Sequence, residues 1–283
     1  MSSASNRPGM GAIPYSEGAG QGTTFRVWAP NANQVAVAGD FNGWDASASP
    51  LAPEGNGNWS ADVPGARDGH QYKYVINGTL WRIDPRARQV TNSVGNAIVV
   101  DPGFAWRVEN FQAPPWDEVV VYQMHLATFP DAPVDGSDLF ADVLSDENIR
   151  YLKELGVNTL LLLPTGEFPG DHSWGYNPAH IFAVESYYGG PHALKRFVDR
   201  AHEHGLAVWL DVVYNHFGPN DLSIWQFDGW FEHWNGGEMG GIYFYNDWRA
   251  HTPWGEKNRP DYGRGEVRSF ICDNALMWLE EYR

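Results

Sequence analysis

Short runs of alternating or β-branched residues follow one another at close spacing in the first part of the chain. They are separated by turn signals such as Asp40-Phe-Asn-Gly-Trp44 and Asn77-Gly78. Five or more short strands within about 80 residues are typical of a small β-sandwich. We therefore predict a β-sandwich over residues 23–105, after a segment 1–22 rich in Gly, Ser and Ala that we expect to be flexible. The predicted strands span 23–29, 34–38, 58–63, 71–76 and 97–100.

The hydrophobic period changes after the proline-containing linker 101–116. Apolar strands now alternate with helices, which predicts parallel strands joined by helical crossovers. The sequence therefore predicts an α/β domain over 117–283, interrupted by a long loop at 217–265 that is rich in Gly, Asn and aromatic residues. The predicted strands span 119–129, 159–163 and 207–213, and the predicted helices span 146–155, 191–204 and 266–282.

Composition narrows the classes of function. The net charge of −16, from 19 basic and 35 acidic residues, argues against a nucleic-acid partner. No apolar run approaches the roughly 20 residues that cross a bilayer, and no signal peptide is visible, so we expect a cytoplasmic protein without a membrane partner. A single cysteine, Cys272, excludes an internal disulfide. The 14 Trp residues offer flat faces that suit sugar rings, although most are expected to be core residues.

The third strand of the α/β domain leads into Asp211-Val-Val-Tyr-Asn-His216. A charged residue in an apolar strand needs a reason, and at the C-terminal mouth of a parallel barrel that reason is usually a site. The segment resembles the first conserved region of the α-amylase superfamily, glycoside hydrolase family 13. The resemblance implies a (β/α)8 TIM barrel, here only its first part, which ends before the fourth strand. It also implies that Asp211 and His216 bind the glucose unit being cleaved.

Further residues of that glucose site follow from the same resemblance. In His172-Ser-Trp-Gly-Tyr-Asn-Pro178, Tyr176 resembles the tyrosine that stacks against the glucose, with Trp174 beside it. The alternative for Tyr176 is a packed loop aromatic. His125 borders the cleft or is a hydrogen-bonded structural histidine. Asn215 is a further candidate substrate-binding residue. The matching residue in many amylases ligates calcium, but we expect no metal and no cofactor here.

The sandwich resembles the family-48 carbohydrate-binding module found in front of branching and debranching enzymes. The matching segments are Phe25-Arg-Val-Trp-Ala-Pro30, Val37-Ala-Gly-Asp-Phe-Asn-Gly-Trp44 and Tyr72-Lys-Tyr-Val-Ile-Asn-Gly78. In glycogen-binding members the sugar meets positions that match Trp44, Lys73, Trp81 and Asn96. The alternative is a module that only packs on the barrel.

The resemblance implies a retaining mechanism with two carboxyl groups. In the family the nucleophile ends the fourth strand in a Gly-x-Arg-x-Asp setting, and Trp278-Leu-Glu-Glu-Tyr-Arg283 resembles the preceding helix. We therefore expect no catalytic residue in this chain and place the nucleophile and the acid/base beyond Arg283. The first interpretation is the N-terminal part of a 1,4-α-glucan branching enzyme acting on α-glucan. An α-glucan hydrolase of the amylase or maltooligosyltrehalose trehalohydrolase type, and a non-catalytic glucan-binding fragment, remain alternatives.

Overall fold

The N-terminal domain is a sandwich of two antiparallel sheets. It belongs to a computed structural model that describes residues 3–16, 20–129, 139–253 and 255–283. One sheet contains, in spatial order, β1 (Gly11–Tyr15), β2 (Gly22–Trp28), β5 (Asn58–Pro64) and β4 (Ala52–Gly55). The other contains β3 (Val35–Gly39), β6 (Gln71–Ile76), β9 (Ala97–Ile98) and β8 (Gln89–Val90), and β7 (Leu80–Arg82) also pairs with β6. The predicted β-sandwich is thereby confirmed.

Aromatic side chains from both sheets form the core of the sandwich. The rings of Phe25 on β2 and Tyr72 on β6 lie 4.9 Å apart in an edge-to-face arrangement. The hydroxyl of Tyr72 donates to the buried Asp84 carboxylate at 2.7 Å, and the backbone N–H of Arg86 donates to it at 2.8 Å. Burial nevertheless raises the pKa of Asp84. This hydrogen-bonded acid ties the core to the connection between β7 and β8.

The prediction that segment 1–22 is flexible is wrong for residues 11–15. These residues form β1, which pairs along its whole length with β2, from Gly11 opposite Arg26 to Tyr15 opposite Gly22. Further upstream, the Arg7 guanidinium donates to Asp62 at 2.6 Å. The Gly, Ser and Ala content obscured this strand because pairing with β2 compensates for a weak local preference.

The second domain contains three parallel strands with helices beside them. The spatial order is β10 (Val121–Met124), β11 (Thr159–Leu162) and β14 (Ala207–Leu210), as predicted. The predicted strand over 207–213 is too long, because β14 ends at Leu210 and Asp211 follows it. The N–H of Asp211 still donates to the carbonyl of Leu162 at 3.0 Å. The hydrogen bonds between β11 and β14 therefore continue to Asp211 and place its carboxylate at the strand end.

Among the described residues, a β-hairpin and four helices accompany these strands. The hairpin, which the sequence pattern does not predict, pairs β12 (Gly166–Glu167) with β13 (His180–Val184). The helices are α1 (Leu139–Val143), α2 (Asp146–Glu154), α3 (Gly190–Glu203) and α4 (Gly265–Tyr282). The side chain of Ser145 caps α2 by accepting from the N–H of Asn148. Within the described ranges, none of the helices has the length and apolar character required to cross a membrane.

The long segment 217–265 contains one short hairpin, β15 (His233–Trp234) with β16 (Gly237–Glu238), and several 3-10 turns. It packs against the sandwich. The Asp228 carboxylate accepts from the backbone N–H of Asn31 at 2.9 Å, and the Arg82 guanidinium donates to the carbonyl of Phe227 at 3.0 Å. The segment is therefore held between the two domains.

Two arginines also join the sandwich to α4. Arg86 forms an ion pair with Asp273 at 2.7 Å. Arg88 binds the Glu281 carboxylate through two nitrogens, at 2.8 and 2.5 Å. These contacts place the end of the sandwich on the same helix that supports the end of β14.

Candidate active site

Asp211, Tyr176 and His216 meet at the C-terminal end of β14. The hydroxyl of Tyr176 donates to the Asp211 carboxylate at 2.8 Å. The imidazole Nε2 of His216 contacts the backbone carbonyl of Tyr176 at 2.7 Å. One loop and one strand end, 35 residues apart at Tyr176 and Asp211, therefore form one polar wall. The wall presents a carboxylate oxygen and a phenol ring that is 41% exposed.

The loop that carries Tyr176 is shaped by a glycine. Gly175 has a φ of +85°, and a Cβ there would lie 2.3 Å from the carbonyl oxygen of Pro164. The hydroxyl of Ser173 donates to the Asn177 side chain and accepts from the N–H of Gly175 at 3.0 Å. A residue with a side chain at 175 would push this turn away from β11, so the glycine sets the position of Tyr176.

Burial and hydrogen bonding oppose each other at His216. Burial lowers the pKa of the imidazole, and its contact with the carbonyl of Tyr176 acts against that change. Nδ1 lies 3.1 Å from the side-chain oxygen of Asn215, which is itself exposed. For Tyr176, the hydrogen bond to Asp211 raises the pKa of the phenol, because it stabilises the protonated form. The tyrosine therefore remains a donor to Asp211 at neutral pH.

His125 contacts the loop that carries Tyr176, and Trp174 belongs to that loop. His125 Nε2 contacts the carbonyl of Ser173 at 2.8 Å, and Nδ1 lies 3.1 Å from the Thr128 hydroxyl. This position matches the hydrogen-bonded alternative for His125, and it also holds the loop that carries Tyr176. Trp174 is 73% exposed, with its ring at the surface beside this wall.

Residues of α4 support the wall from behind, and the sequence pattern does not reveal them. Asn274 is fully buried and accepts from the hydroxyl of Tyr214 at 2.8 Å and from the indole of Trp278 at 3.1 Å. Its amide donates to the carbonyl of Ile181 at 2.9 Å. A buried Asn within the apolar stripe of a helix was the available signal, since such a residue is expected to be hydrogen-bonded.

A second missed feature is the buried acid pair Glu167 and Glu185, of which Glu167 precedes the Tyr176 loop and Glu185 follows β13. Glu167 accepts from the N–H of Ser186 at 2.7 Å, and Glu185 accepts from the N–H groups of Tyr187 and Phe168 at 2.9 and 3.1 Å. Burial, with repulsion from Glu185, raises the pKa of Glu167 to about 8. Burial likewise raises the pKa of Glu185 to about 7. The pair therefore holds protons that isolated glutamates would release.

The predicted glucan-binding residues of the sandwich also lie near one another. Trp44 and Trp81 stack with ring centroids 6.4 Å apart and planes 29° apart, and Trp81 is 41% exposed. Trp81 pairs across the sheet with Val75 on β6. Lys73 lies two residues before Val75 and therefore on the same face of the sheet. Asn96 precedes Ala97, the partner of Tyr72 beside Lys73, and its amide donates to Gln71 at 2.8 Å. Burial lowers the pKa of Lys73.

The described residues form no cluster of three or more His, Cys, Asp or Glu side chains that would hold a metal ion. Among the described residues, the side chain of Asn215 forms a hydrogen-bond contact only with the neighbouring His216. The wall brings together a carboxylate, a phenol and an imidazole, a set suited to hydrogen-bonding the hydroxyls of a neutral ligand.

Two family models match the chain. Residues 9–87 match carbohydrate-binding module 48, the isoamylase N-terminal domain, and residues 145–268 match the alpha amylase catalytic domain. Among curated proteins, the 1,4-alpha-glucan branching enzyme GlgB of Rhodospirillum rubrum is 37% identical over 289 residues, which is 96% of this chain and 37% of that protein. The GlgB of Nitratidesulfovibrio vulgaris strain Hildenborough is also 37% identical, over 96% of this chain and 44% of its own length. The chain thus spans less than half of these relatives.

Solved structures show the same architecture. A crystal structure of a putative alpha amylase from Salmonella typhimurium superposes with a TM-score of 0.76 and 31% identity, over 96% of this chain and 42% of that one. The pullulanase type I from Bacillus subtilis, complexed with maltose, gives a TM-score of 0.72 and 26% identity, over 98% of this chain and 42% of that one. Both comparisons span the sandwich and the parallel strands together.

Proposed function

Since this chain belongs to the α-amylase superfamily, glycoside hydrolase family 13, with a family-48 module before the first part of the barrel, we propose that it is part of a 1,4-α-glucan branching enzyme. In this proposal the enzyme cleaves an α-1,4 bond, holds the glucosyl chain as an ester and transfers it to a 6-hydroxyl. The GlgB relatives support this reaction. The observation that carries the chain's own role is the wall of Asp211, Tyr176 and His216 at the end of β14.

We propose that this wall positions the glucose unit on the donor side of the bond. Asp211 uses one oxygen for Tyr176 and offers the other to sugar hydroxyls, since a carboxylate accepts through both oxygens. The exposed ring of Tyr176 presents a negative face to the positive charge that develops on the sugar. Asn215 and His125 hold this arrangement at its edge, and Trp174 offers a further apolar face.

We further propose that residues 1–283 alone do not break the glycosidic bond. A retaining mechanism needs two carboxyl groups about 5–5.5 Å apart. The Gly-x-Arg-x-Asp pattern that carries the nucleophile in the family does not occur in the sequence. Incubation of the 283-residue polypeptide with amylose is expected to leave reducing ends and iodine staining at the level of a blank, and turnover above the blank would contradict the proposal.

Glucan binding by the module is a separate proposal, supported by the stacked Trp44 and Trp81 with Lys73 on the same face. Removing both rings, in Trp44→Ala with Trp81→Ala, is expected to weaken retention on immobilised glycogen at least about tenfold, because each aromatic contact is worth on the order of 1 kcal/mol. Trp116→Ala is the matched control, since Trp116 is 82% exposed but lies in the linker. Equal retention of the double variant and the control would reject the module as a binding site.

The cellular setting is proposed from the thiol. Cys272 is free and exposed on α4. An exposed free thiol persists best where reducing systems keep it reduced, which supports the cytoplasm as the location. Fractionation of the native host followed by immunodetection would test this.

A further inference from the structure

A hairpin loop of the sandwich reaches the two chain segments that form the wall at the end of β14. The loop, residues 91–96, joins β8 to β9, which pair with each other. Within it, Ser93 is buried. Its carbonyl contacts Nε2 of His180 at 2.8 Å, and its hydroxyl donates to the Asp221 carboxylate at 2.8 Å. Ser93 therefore binds two segments of the second domain through two different groups.

Both partners of Ser93 adjoin residues of the wall along the chain. His180 is the first residue of β13, which directly follows the loop that carries Tyr176. Asp221 lies shortly after His216, at the start of the segment that leaves the wall. A shift of either partner would be passed over a few residues of backbone to Tyr176 or His216. Ser93 is therefore placed to fix both of these residues.

The segments 176–180 and 216–221 also contact each other. The N–H of Gly218 donates to the carbonyl of Pro178 at 2.7 Å. One contact between two segments leaves their mutual angle free to change. The contacts of both segments with Ser93 add a third point, which fixes the angle as well as the spacing.

Hydrogen bonds within the hairpin loop order Ser93 itself. The N–H of Thr91 donates to the carbonyl of Asn96 at 2.9 Å, and the N–H of Asn96 donates to the Thr91 hydroxyl at 2.9 Å. The side chain of Asn92 accepts from the N–H of Val94 at 3.0 Å. A loop closed by its own contacts loses little further freedom when it holds a neighbour, so Ser93 offers a preorganised contact.

The two contacts of Ser93 are both compatible with neutral pH. A carbonyl only accepts, so His180 presents Nε2–H to it. Burial lowers the pKa of His180, and the neutral imidazole keeps that donor. A hydroxyl that donates to a carboxylate forms one of the stronger kinds of hydrogen bond. Asp221 receives this bond while its backbone has a φ of +59°, a conformation that Asp and Asn adopt more readily than most residues.

We propose that Ser93 is a positioning residue for the wall, which holds the segments carrying Tyr176 and His216 at the spacing in which they bind the glucose unit. The inference rests on the proposed function, because the wall is the proposed glucose site. Other contacts of the sandwich with the second domain, such as that of Arg82 with Phe227, lie further from His216 along the chain. The sandwich therefore acts on glucose binding through Ser93 even where its own surface holds no glucan.

The test measures maltoheptaose binding to the 283-residue chain by isothermal titration calorimetry. The background is Trp44→Ala with Trp81→Ala, which removes the proposed module surface. Adding Ser93→Ala removes the hydroxyl and is expected to raise the Kd about fivefold. Ser60→Ala is the matched control, because Ser60 is a buried serine whose hydroxyl donates to Glu54 within the sandwich. The control is expected to keep the Kd of the background.

Hydrogen exchange reports on the wall without a ligand. Ser93→Ala is expected to speed amide exchange in peptides covering 172–180 and 216–222, whereas exchange in β2 and β6 stays unchanged. Ser60→Ala should leave the wall peptides as they are. Asp221→Asn is the conservative variant, since it keeps an oxygen that accepts from Ser93 and tolerates the positive φ. It should retain both the slow exchange and the Kd.

Support requires weaker binding and faster exchange of the wall peptides together in Ser93→Ala. Either change alone, equal changes in Ser60→Ala, or a loss in Asp221→Asn as large as that in Ser93→Ala overturns the inference and leaves the proposed glucose site standing. Absence of maltoheptaose binding by the background protein would instead reject the proposed glucose site together with this inference.

Discussion

At the residue scale, one hydrogen bond between distant segments defines the candidate site. Tyr176 donates to Asp211, and the Tyr176 carbonyl contacts His216, so a loop and a strand end each position the other. The sequence motifs named all three residues. The motifs did not reveal the roles of Gly175, which lets the loop approach Pro164, and of Asn274, which accepts a hydrogen bond from Tyr214. These supports act through contacts that only the packed chain creates.

The acid pair Glu167 and Glu185 leads to a pH-dependence prediction. Both pKa values are raised by burial, so the folded chain binds more protons than the unfolded chain above the ordinary glutamate range near pH 4.5. The stabilising contribution is therefore fully present below that range and is lost as pH rises through about 7 to 8. Unfolding free energy from urea titrations is expected to fall between pH 5 and 8 by at least about 1.4 kcal/mol, the equivalent of one pKa unit.

Glu167→Gln is the discriminating variant for this prediction. Its neutral amide imitates the protonated acid, so the dependence of unfolding free energy on pH should become shallower. Glu238→Gln, an exposed substitution on β16, is the control and should keep the wild-type slope. A wild-type slope in Glu167→Gln as well would show that the pair does not cause the effect.

At the element scale, the part of the sandwich from the end of β7 to the start of β8 makes many of the contacts with the second domain. Arg82 donates to carbonyls of the segment 217–265, and Arg86 and Arg88 form ion pairs with α4. The same α4 supports the strand end through Asn274. The module is therefore attached to the elements that hold the candidate site, as the packing alternative expects, whereas glucan binding by its surface stays a proposal.

We predict that the ion pair of Arg88 with Glu281 makes a measurable contribution to the free energy of unfolding. Both side chains are less than one-fifth exposed, at 19% and 17%, and the pair is bidentate. Arg88→Ala is expected to lower the unfolding free energy by about 1–3 kcal/mol, because it leaves a partly buried carboxylate without its donor.

A double-mutant cycle with Glu281→Ala checks that the loss belongs to this pair. Arg249→Ala provides the comparison, since Arg249 pairs with Asp247 at the exposed surface of the segment 217–265 and should change stability by less than about 1 kcal/mol. Equal effects of the two arginine substitutions would contradict a special role for Arg88.

At the scale of the whole molecule, β14 is one of the two edge strands of the parallel sheet formed by the described residues. Its outer edge adjoins an apolar groove of about 370 Å³ against α4. Groove residues are exposed to an unusual degree for their type, with Leu279 at 71% and Val212 at 43%. Unpaired strand edges next to apolar surface favour association with another chain.

We therefore predict that the 283-residue polypeptide self-associates or aggregates with rising concentration. Leu279→Glu is expected to shift sedimentation profiles towards the monomer, because it places a charge in the groove. Leu155→Glu serves as the control, since Leu155 is also exposed, at 54%, but lies at the end of α2. A wild-type chain that sediments as one monomer at all concentrations and melts cooperatively would rule out this association.

The sequence by itself predicted the order of the two domains and the resemblance to one family. Period-two runs specified the sandwich strands, and apolar strands alternating with amphipathic helices specified the parallel sheet, because these periods reflect local geometry. The motif from Asp211 to His216 carries its meaning within six residues. The pattern failed where partners lie far apart: it missed β1, β13 and α1 and extended β14 past Leu210.

Only the tertiary structure decided which chemical groups meet. The hydrogen bond from Tyr176 to Asp211, the shared burial of Glu167 and Glu185 and the ion pair of Arg88 with Glu281 on α4 all join segments that are separated along the chain. Burial and charge at such points depend on how distant elements pack, and no local period records that packing. The chain's motifs therefore led to the proposal of an α-glucan ligand, whereas its packing produced the wall that we propose to hold that ligand.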